Sequence, residues 1–294
     1  MPNNKHIKSY VELHFIILIW GFTAVLGKLI TLEAISLVWY RIALSLPFLL
    51  LWILIKGFSL RISKKSLMHY IVGGLLIGLH WVAFFMAIKE SNISVAMVTM
   101  STGALFASLL EPLFFKRKIR ILEVIFGLLV ISGIFLIFKV NQVYLYGMLW
   151  AVLAAFLSAL FSVMNGVFIK NQNGYVLTIY QLFFGLLGVT IYLYFNHSFS
   201  VSFFQLSSSD WIYLIILASV CTAYAFSASL DVMKYLSPYT IILNINLEPV
   251  YAMVLALLIF GENEKMQTEF YIGASIILLI VVIYGVLNKK RVNG

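Results

Sequence analysis

Charge is scarce in this chain of 294 residues: Asp, Glu, Lys and Arg together make up 11%, where a soluble globular domain carries about a quarter. That shortage excludes an ordinary water-soluble fold. Long polar loops are missing as well, so nothing outside the apolar runs is large enough to fold alone, and a single-span anchor with a soluble head is excluded. The one cysteine, Cys221, lies within an apolar run, which excludes an intrachain disulfide and leaves Cys-based metal or redox chemistry without a second thiol. There is no Gly-rich phosphate loop ending in Gly-Lys-Ser/Thr, hence no sign of ATP drive. The five histidines, at 6, 14, 69, 80 and 197, are scattered, with no His-Glu-x-x-His and no paired-acid motif. The sequence therefore calls for no cofactor and no metal.

What fills the chain is apolar: 63% hydrophobic residues at a mean hydropathy of +1.03. Its 24 Phe, 16 Tyr and 6 Trp suit lipid-facing and interfacial helix surfaces rather than the short alternating segments of a β-barrel. The expected fold is an all-α polytopic membrane protein. Apolar runs give spans near 11–30, 34–55, 69–88, 94–115 and 121–138, then 145–168, 175–195, 211–230, 238–260 and 269–288. The opening run is too long for a signal-peptide core and ends in no small-residue cleavage site, so it reads as an uncleaved first helix.

A net charge of +9 raises a nucleic-acid partner, but the cations lie in short loops rather than on one face. Ten spans return both termini to one side, and assigning that side to the cytoplasm gives it 15 of the 20 Lys and Arg residues. The positive-inside rule then orients the chain with both termini cytoplasmic. The partners expected are a lipid bilayer, a small-molecule substrate and protons, with no nucleic acid.

Self-comparison suggests a repeat near half the chain length. At an offset of 145, Met86 to Phe115 slides onto Asp231 to Phe260, matching Lys89 with Lys234 and Ala107 with Ala252; at 140, Tyr40-Arg41 falls on Tyr180-Gln181. Five spans per half is an odd number and forces the halves into opposite orientations. Loop charge changes sign accordingly: Lys116 to Arg120 is basic, whereas its counterpart Gly261 to Lys265 is net acidic. The expected architecture is ten transmembrane helices as two inverted five-helix repeats, residues 1–140 and 141–294.

Short motifs sharpen this. Trp20-Gly21 precedes Lys28 in the first span, Arg41 lies in the second, and Glu248-Pro249-Val250-Tyr251-Ala252 is followed by Phe260-Gly261-Glu262, with Gly273 in the tenth. In these residues the chain resembles the drug/metabolite transporter superfamily, EamA type, over nearly its whole length. It departs from the pattern where Ala104 and Lys116-Arg117 replace the first-half proline and Gly-Glu loop. The resemblance implies a carrier of small metabolites, often amino acids or related compounds, usually moved outward across a bacterial inner membrane.

An ionisable group deep in a bilayer costs about 2.5–3.5 kcal/mol on insertion scales, so each needs a partner, water or a function. Glu248 lies mid-span beside Pro249, where a broken backbone and a carboxylate coincide; it reads as a proton or amine acceptor, or as a structural partner for Arg41. Arg41 offers a bidentate fork for carboxylate or phosphate, or else pairs with Glu248 or snorkels to the outer interface. Lys28, nearer its helix end, reads as interfacial. His80, beside Trp81, is either a relay or substrate contact or a buried histidine bonded to a neighbour. Asn244 is four residues before Glu248, on the same helical face, and Asn246 two before it. Tyr40, Tyr180, Gln181 and Asn165 add donors around a cavity or serve as interhelical bonds. Glu111, a turn before the basic loop, reads as a snorkelling group or one paired with that loop. Gly74 and Gly78 form a small-xxx-small pair, and Pro47 and Pro249 are candidate kinks.

The expected function is a secondary transporter working by alternating access, with proton coupling through Glu248 and a small metabolite, foremost an amino acid, as cargo. Two other classes compete. A membrane-embedded enzyme acting on a lipid-linked substrate needs clustered acids and bases that the chain lacks, and a scaffold needs no buried Glu. The chain is not expected to be an enzyme.

Overall fold

The computed structural model describes residues 4–63, 66–116, 118, 125, 129, 142–169, 172–236, 241, 244, 245 and 247–292. Every regular element among them is helical. The chain opens with α1 (Asn4–Leu29), α2 (Ala34–Lys56) and α3 (Leu67–Glu90), followed by a short pair, α4 (Ile93–Met100) and α5 (Gly103–Phe115). After them come α6 (Leu145–Phe168), α7 (Gly174–Phe195), α8 (Ser208–Ala218), a π turn at Ser219–Tyr224, α9 (Ala225–Val232), α10 (Glu248–Phe260) and α11 (Thr268–Val292).

Among the described residues, seven stretches are long and apolar enough to cross a bilayer: Ile7–Leu29, Ala34–Lys56, Leu67–Glu90, Ile93–Phe115, Leu145–Phe168, Gly174–Phe195 and Ser208–Val232. They coincide with spans one to four and six to eight of the sequence reading. The expected fifth span, 121–138, lies outside the described residues apart from Ile125 and Leu129, as does Asn246.

Local sequence sets the helix ends. Asn92 accepts from the Val95 N–H at 2.8 Å, Asn173 from Tyr175 at 2.9 Å and Ser207 from Asp210 at 3.1 Å, so polar side chains cover the otherwise bare first turns of α4, α7 and α8. Gly57, at φ +63°, ends α2 in the left-handed conformation. The two prolines read as candidate kinks take different positions in their helices. α2 runs through Pro47 as a single helix. Pro249 stands in the first turn of α10, where its missing N–H costs nothing, so it starts a helix instead of bending one.

The halves interleave rather than sit side by side. α3 packs on α6 and α7, α1 on α10, and α4 on α6 and α10. Small residues permit two of these crossings: a Cβ on Gly185 of α7 would stand 2.8 Å from the Gly74 carbonyl of α3, and one on Gly21 of α1 would stand 2.9 Å from Tyr251 Cβ of α10. The second crossing brings Trp20 of α1 and Glu248 of α10 to one cavity.

Two spans are interrupted where they meet. α4 and α5 are separated by the turn at Ser101–Thr102, with i→i+3 bonds from Ser101 N–H to Val98 and from Thr102 N–H to Thr99. Before α10, Leu247 N–H reaches Asn244 in the same tight manner at 3.0 Å. Met100, at the end of α4, and Glu248, at the start of α10, line the same space.

Candidate functional site

Where these elements converge the bundle holds a cavity of about 90 Å³, walled by residues of both halves: Trp20 and Thr23 of α1, Arg41 of α2, His80, Trp81 and Phe84 of α3, and Met100 of α4. Ser158, Phe161 and Ser162 of α6, Phe226 and Ser229 of α9, and Ile241, Ile245 and Glu248 complete it. A side cavity of about 40 Å³ adjoins it, sharing Met100, Ser158, Ile245 and Glu248.

Arg41 dominates the electrostatics. It is 2% exposed, which corrects the reading of a side chain that snorkels to the interface. Its Nε donates to Thr222 Oγ1 at 2.7 Å, and its guanidinium carbon lies 3.8 Å from the Trp81 ring centroid, a cation–π contact in a desolvated site. Glu248 lines the same cavity and feels the Arg41 charge, yet among the described residues no direct ion pair joins the two. A guanidinium and a carboxyl group thus face one small space with no direct ion pair between them.

His80 adds a defined acceptor. Its Nδ1 lies 2.8 Å from the Ala154 carbonyl oxygen, and a carbonyl only accepts, so Nδ1 carries the hydrogen. In the neutral ring Nε2 is then a bare acceptor, and His80 is part of the cavity wall.

Of the residues singled out in the sequence, Glu248, Arg41, His80 and Trp81 meet in this cavity, and the other four do not. Tyr40 donates from its hydroxyl to the Phe203 carbonyl at 3.0 Å and stacks on that ring. Tyr180 donates to the Leu60 carbonyl at 2.6 Å. Gln181 and Asn165 form a reciprocal amide pair, at 2.7 and 3.2 Å, that ties α7 to α6. Asn244 is not part of the cavity wall, whereas Ile241 and Ile245, seven and three residues before Glu248, are.

Lys28, in the last turn of α1, is paired across the halves. Its Nζ lies 2.6 Å from Glu264 Oε1 and 4.5 Å from the Phe260 ring centroid. Glu264, fully buried, accepts in addition from the backbone N–H groups of Ile93 and Ser94, each at 3.1 Å, and so closes the N-terminus of α4. Nearby, Asp210 accepts from the Thr31 N–H at 2.8 Å and the Thr31 hydroxyl at 2.7 Å, while Lys89 donates to the Ile30 carbonyl at 3.1 Å. The α1–α2 end of the bundle is laced shut by charged bonds, several of them between the halves.

The cavity residues that sequence reasoning missed are mostly small hydroxyls and aromatics. Ser158 and Ser162 repeat at i, i+4 in α6, a signal that periodicity offers. Thr222 gave none, since its position depends on the π turn.

A family model described as the EamA-like transporter family matches residues 13–139 and again 145–286. The chain belongs to that family. It is a membrane transporter and not an enzyme. Among relatives, it is 26% identical over 199 residues to "Uncharacterized transporter YxxF" of Bacillus subtilis (strain 168), a match spanning 66% of this chain and 62% of that protein. An "Uncharacterized transporter" of Clostridium kluyveri is 24% identical over 245 residues, 80% of this chain and 78% of the relative. The fold is similar to a solved crystal structure at a TM-score of 0.69 and 18% identity, covering 96% of this chain and 98% of that one.

Proposed function

We propose that this EamA-family chain is a secondary carrier of a small zwitterionic metabolite, an amino acid or related compound, moved outward by alternating access. The observation that carries this reading is that Arg41 and Glu248 line one cavity without a direct ion pair between them. Arg41 offers N–H donors from a desolvated stack on Trp81, and Glu248, with the Nε2 lone pair of His80, offers acceptors. A carboxylate fits the first and an ammonium group the second.

The finer topology belongs to the same proposal: ten spans in two inverted five-helix halves, 1–140 and 141–294, in a bacterial inner membrane with both termini cytoplasmic. Its support is the loop-charge asymmetry together with two interrupted spans at one cavity, the arrangement by which inverted-repeat carriers build midplane sites. Proton coupling enters through Glu248, which is alternately bound by the ligand ammonium and by a proton.

The test is flux of a labelled amino-acid panel in proteoliposomes, with and without an inward proton gradient, comparing wild type with a folded Glu248→Gln variant. Saturable, gradient-responsive flux that the variant lacks is expected. Saturable flux that ignores the gradient and survives the substitution would reduce Glu248 to a structural role.

A further inference from the structure

Thr222 belongs to a π turn, Ser219–Tyr224, set between two ordinary helical segments. The register change is visible in its side chain. Ser219 donates back to the Ile215 carbonyl four residues earlier at 2.6 Å, as hydroxyls do in α-helices, whereas Thr222 Oγ1 donates to the Leu217 carbonyl five residues earlier at 2.8 Å. That bond fixes the hydroxyl hydrogen. With its proton directed at Leu217, Oγ1 has only lone pairs left for Arg41, and it accepts from Nε at 2.7 Å.

The choice of Nε matters. A guanidinium can meet a carboxylate side-on, through Nε and one terminal nitrogen, or end-on, through its two terminal nitrogens. Thr222 occupies Nε, Trp81 covers one face of the plane at 3.8 Å, and Arg41 is 2% exposed. The only part of the fork directed at a ligand is its end.

We infer that Thr222 is the positioning residue of the cavity: the π turn makes its hydroxyl an obligate acceptor, which holds Arg41 by Nε and restricts ligand carboxylates to end-on binding. Thr222 does not touch the ligand. The inference rests on the proposed anion-binding role of Arg41, and the experiment separates the two.

Thr222→Val keeps the β-branched shape and removes the acceptor, and Thr222→Ser keeps the acceptor. In proteoliposomes Thr222→Val should raise KM for a carboxylate-bearing substrate roughly tenfold, the scale of one hydrogen bond to a charged group, with little change in maximal rate. Thr222→Ser should restore KM. Methionine places no hydrogen-bond donor at this position, so in an Arg41→Met background Thr222→Val should add no further change. Equal losses in both backgrounds would mean that Thr222 only supports the π turn, and would overturn the inference. Arg41 variants that fail while Thr222→Val behaves like wild type would also overturn it and leave the anion role standing. Arg41→Gln transporting like wild type would remove both.

A ligand-independent readout accompanies these. The emission of Trp81, isolated as the difference between each protein and its Trp81→Phe partner, should shift in Thr222→Val and not in Thr222→Ser, because the guanidinium leaves its place over the ring. An unchanged Trp81 signal in Thr222→Val overturns the inference whatever the substrate proves to be.

Discussion

Lys28 and Arg41 both lie within apolar spans of the first half, and the structure treats them oppositely. Lys28 meets a fully buried carboxylate, Glu264, at 2.6 Å, and that carboxylate also closes the first turn of α4. Arg41 shares a cavity with Glu248 but no ion pair with it; it is held from behind by Thr222 and from one face by Trp81. The first pair is neutralised on the spot and fastens one end of the bundle, where Asp210 and Lys89 add further bonds. The second keeps its charges facing a space. An intramembrane charge is expensive in either place, and the difference lies in whether the protein itself supplies the counter-group. Where it does, the charge holds structure; where it does not, the proposed counter-group is a ligand.

The contrast can be broken at its functional end first. Arg41→Gln should cut carboxylate-substrate flux about 100-fold, because it removes the donor of a buried charged contact and leaves Glu248 without a cation nearby. Initial rates in proteoliposomes, with a monodisperse size-exclusion profile as the folding check, measure this. At the structural end, Glu264→Ala should lower stability by about 3 kcal/mol, since it strands Lys28 and two backbone N–H groups of α4. Thermal unfolding in detergent reports the loss, and KM of the surviving protein should stay within about twofold of wild type. The smallest effects are expected at candidates that lie outside the cavity wall. Tyr40→Phe and Tyr180→Phe each remove one hydrogen bond to a carbonyl outside the cavity, costing about 1 kcal/mol of stability with KM unchanged.

The sequence made Arg41, Glu248 and His80 legible because a polar group inside an apolar run is anomalous wherever its helix turns. Trp81 followed from its neighbour. Tyr40, Tyr180 and Gln181 show the limit of that logic: whether a polar side chain in a span faces a cavity or a neighbouring helix depends on helix rotation and crossing, which composition does not encode. Asn244 shares the i, i+4 spacing with Glu248 but not the cavity wall, which takes Ile241 and Ile245 from the same segment. The pairing of Lys28 with Glu264 was not legible, the two lying 236 residues apart in sequence. Thr222 was invisible, as nothing in Ser-Val-Cys-Thr-Ala-Tyr marks a change from α to π register.

The central claim, that Arg41 and Glu248 divide the two charges of one ligand, is tested most directly by competition. A transported zwitterion would be set against its decarboxylated and its deaminated analogue, in wild type, Arg41→Gln and Glu248→Gln. In wild type each analogue should compete at least about tenfold more weakly than the zwitterion, the scale of one lost charged contact. Arg41→Gln should abolish only the penalty for the missing carboxylate, and Glu248→Gln only that for the missing amine. Analogues that compete as well as the zwitterion in wild type, or penalties that both variants erase alike, would contradict the account.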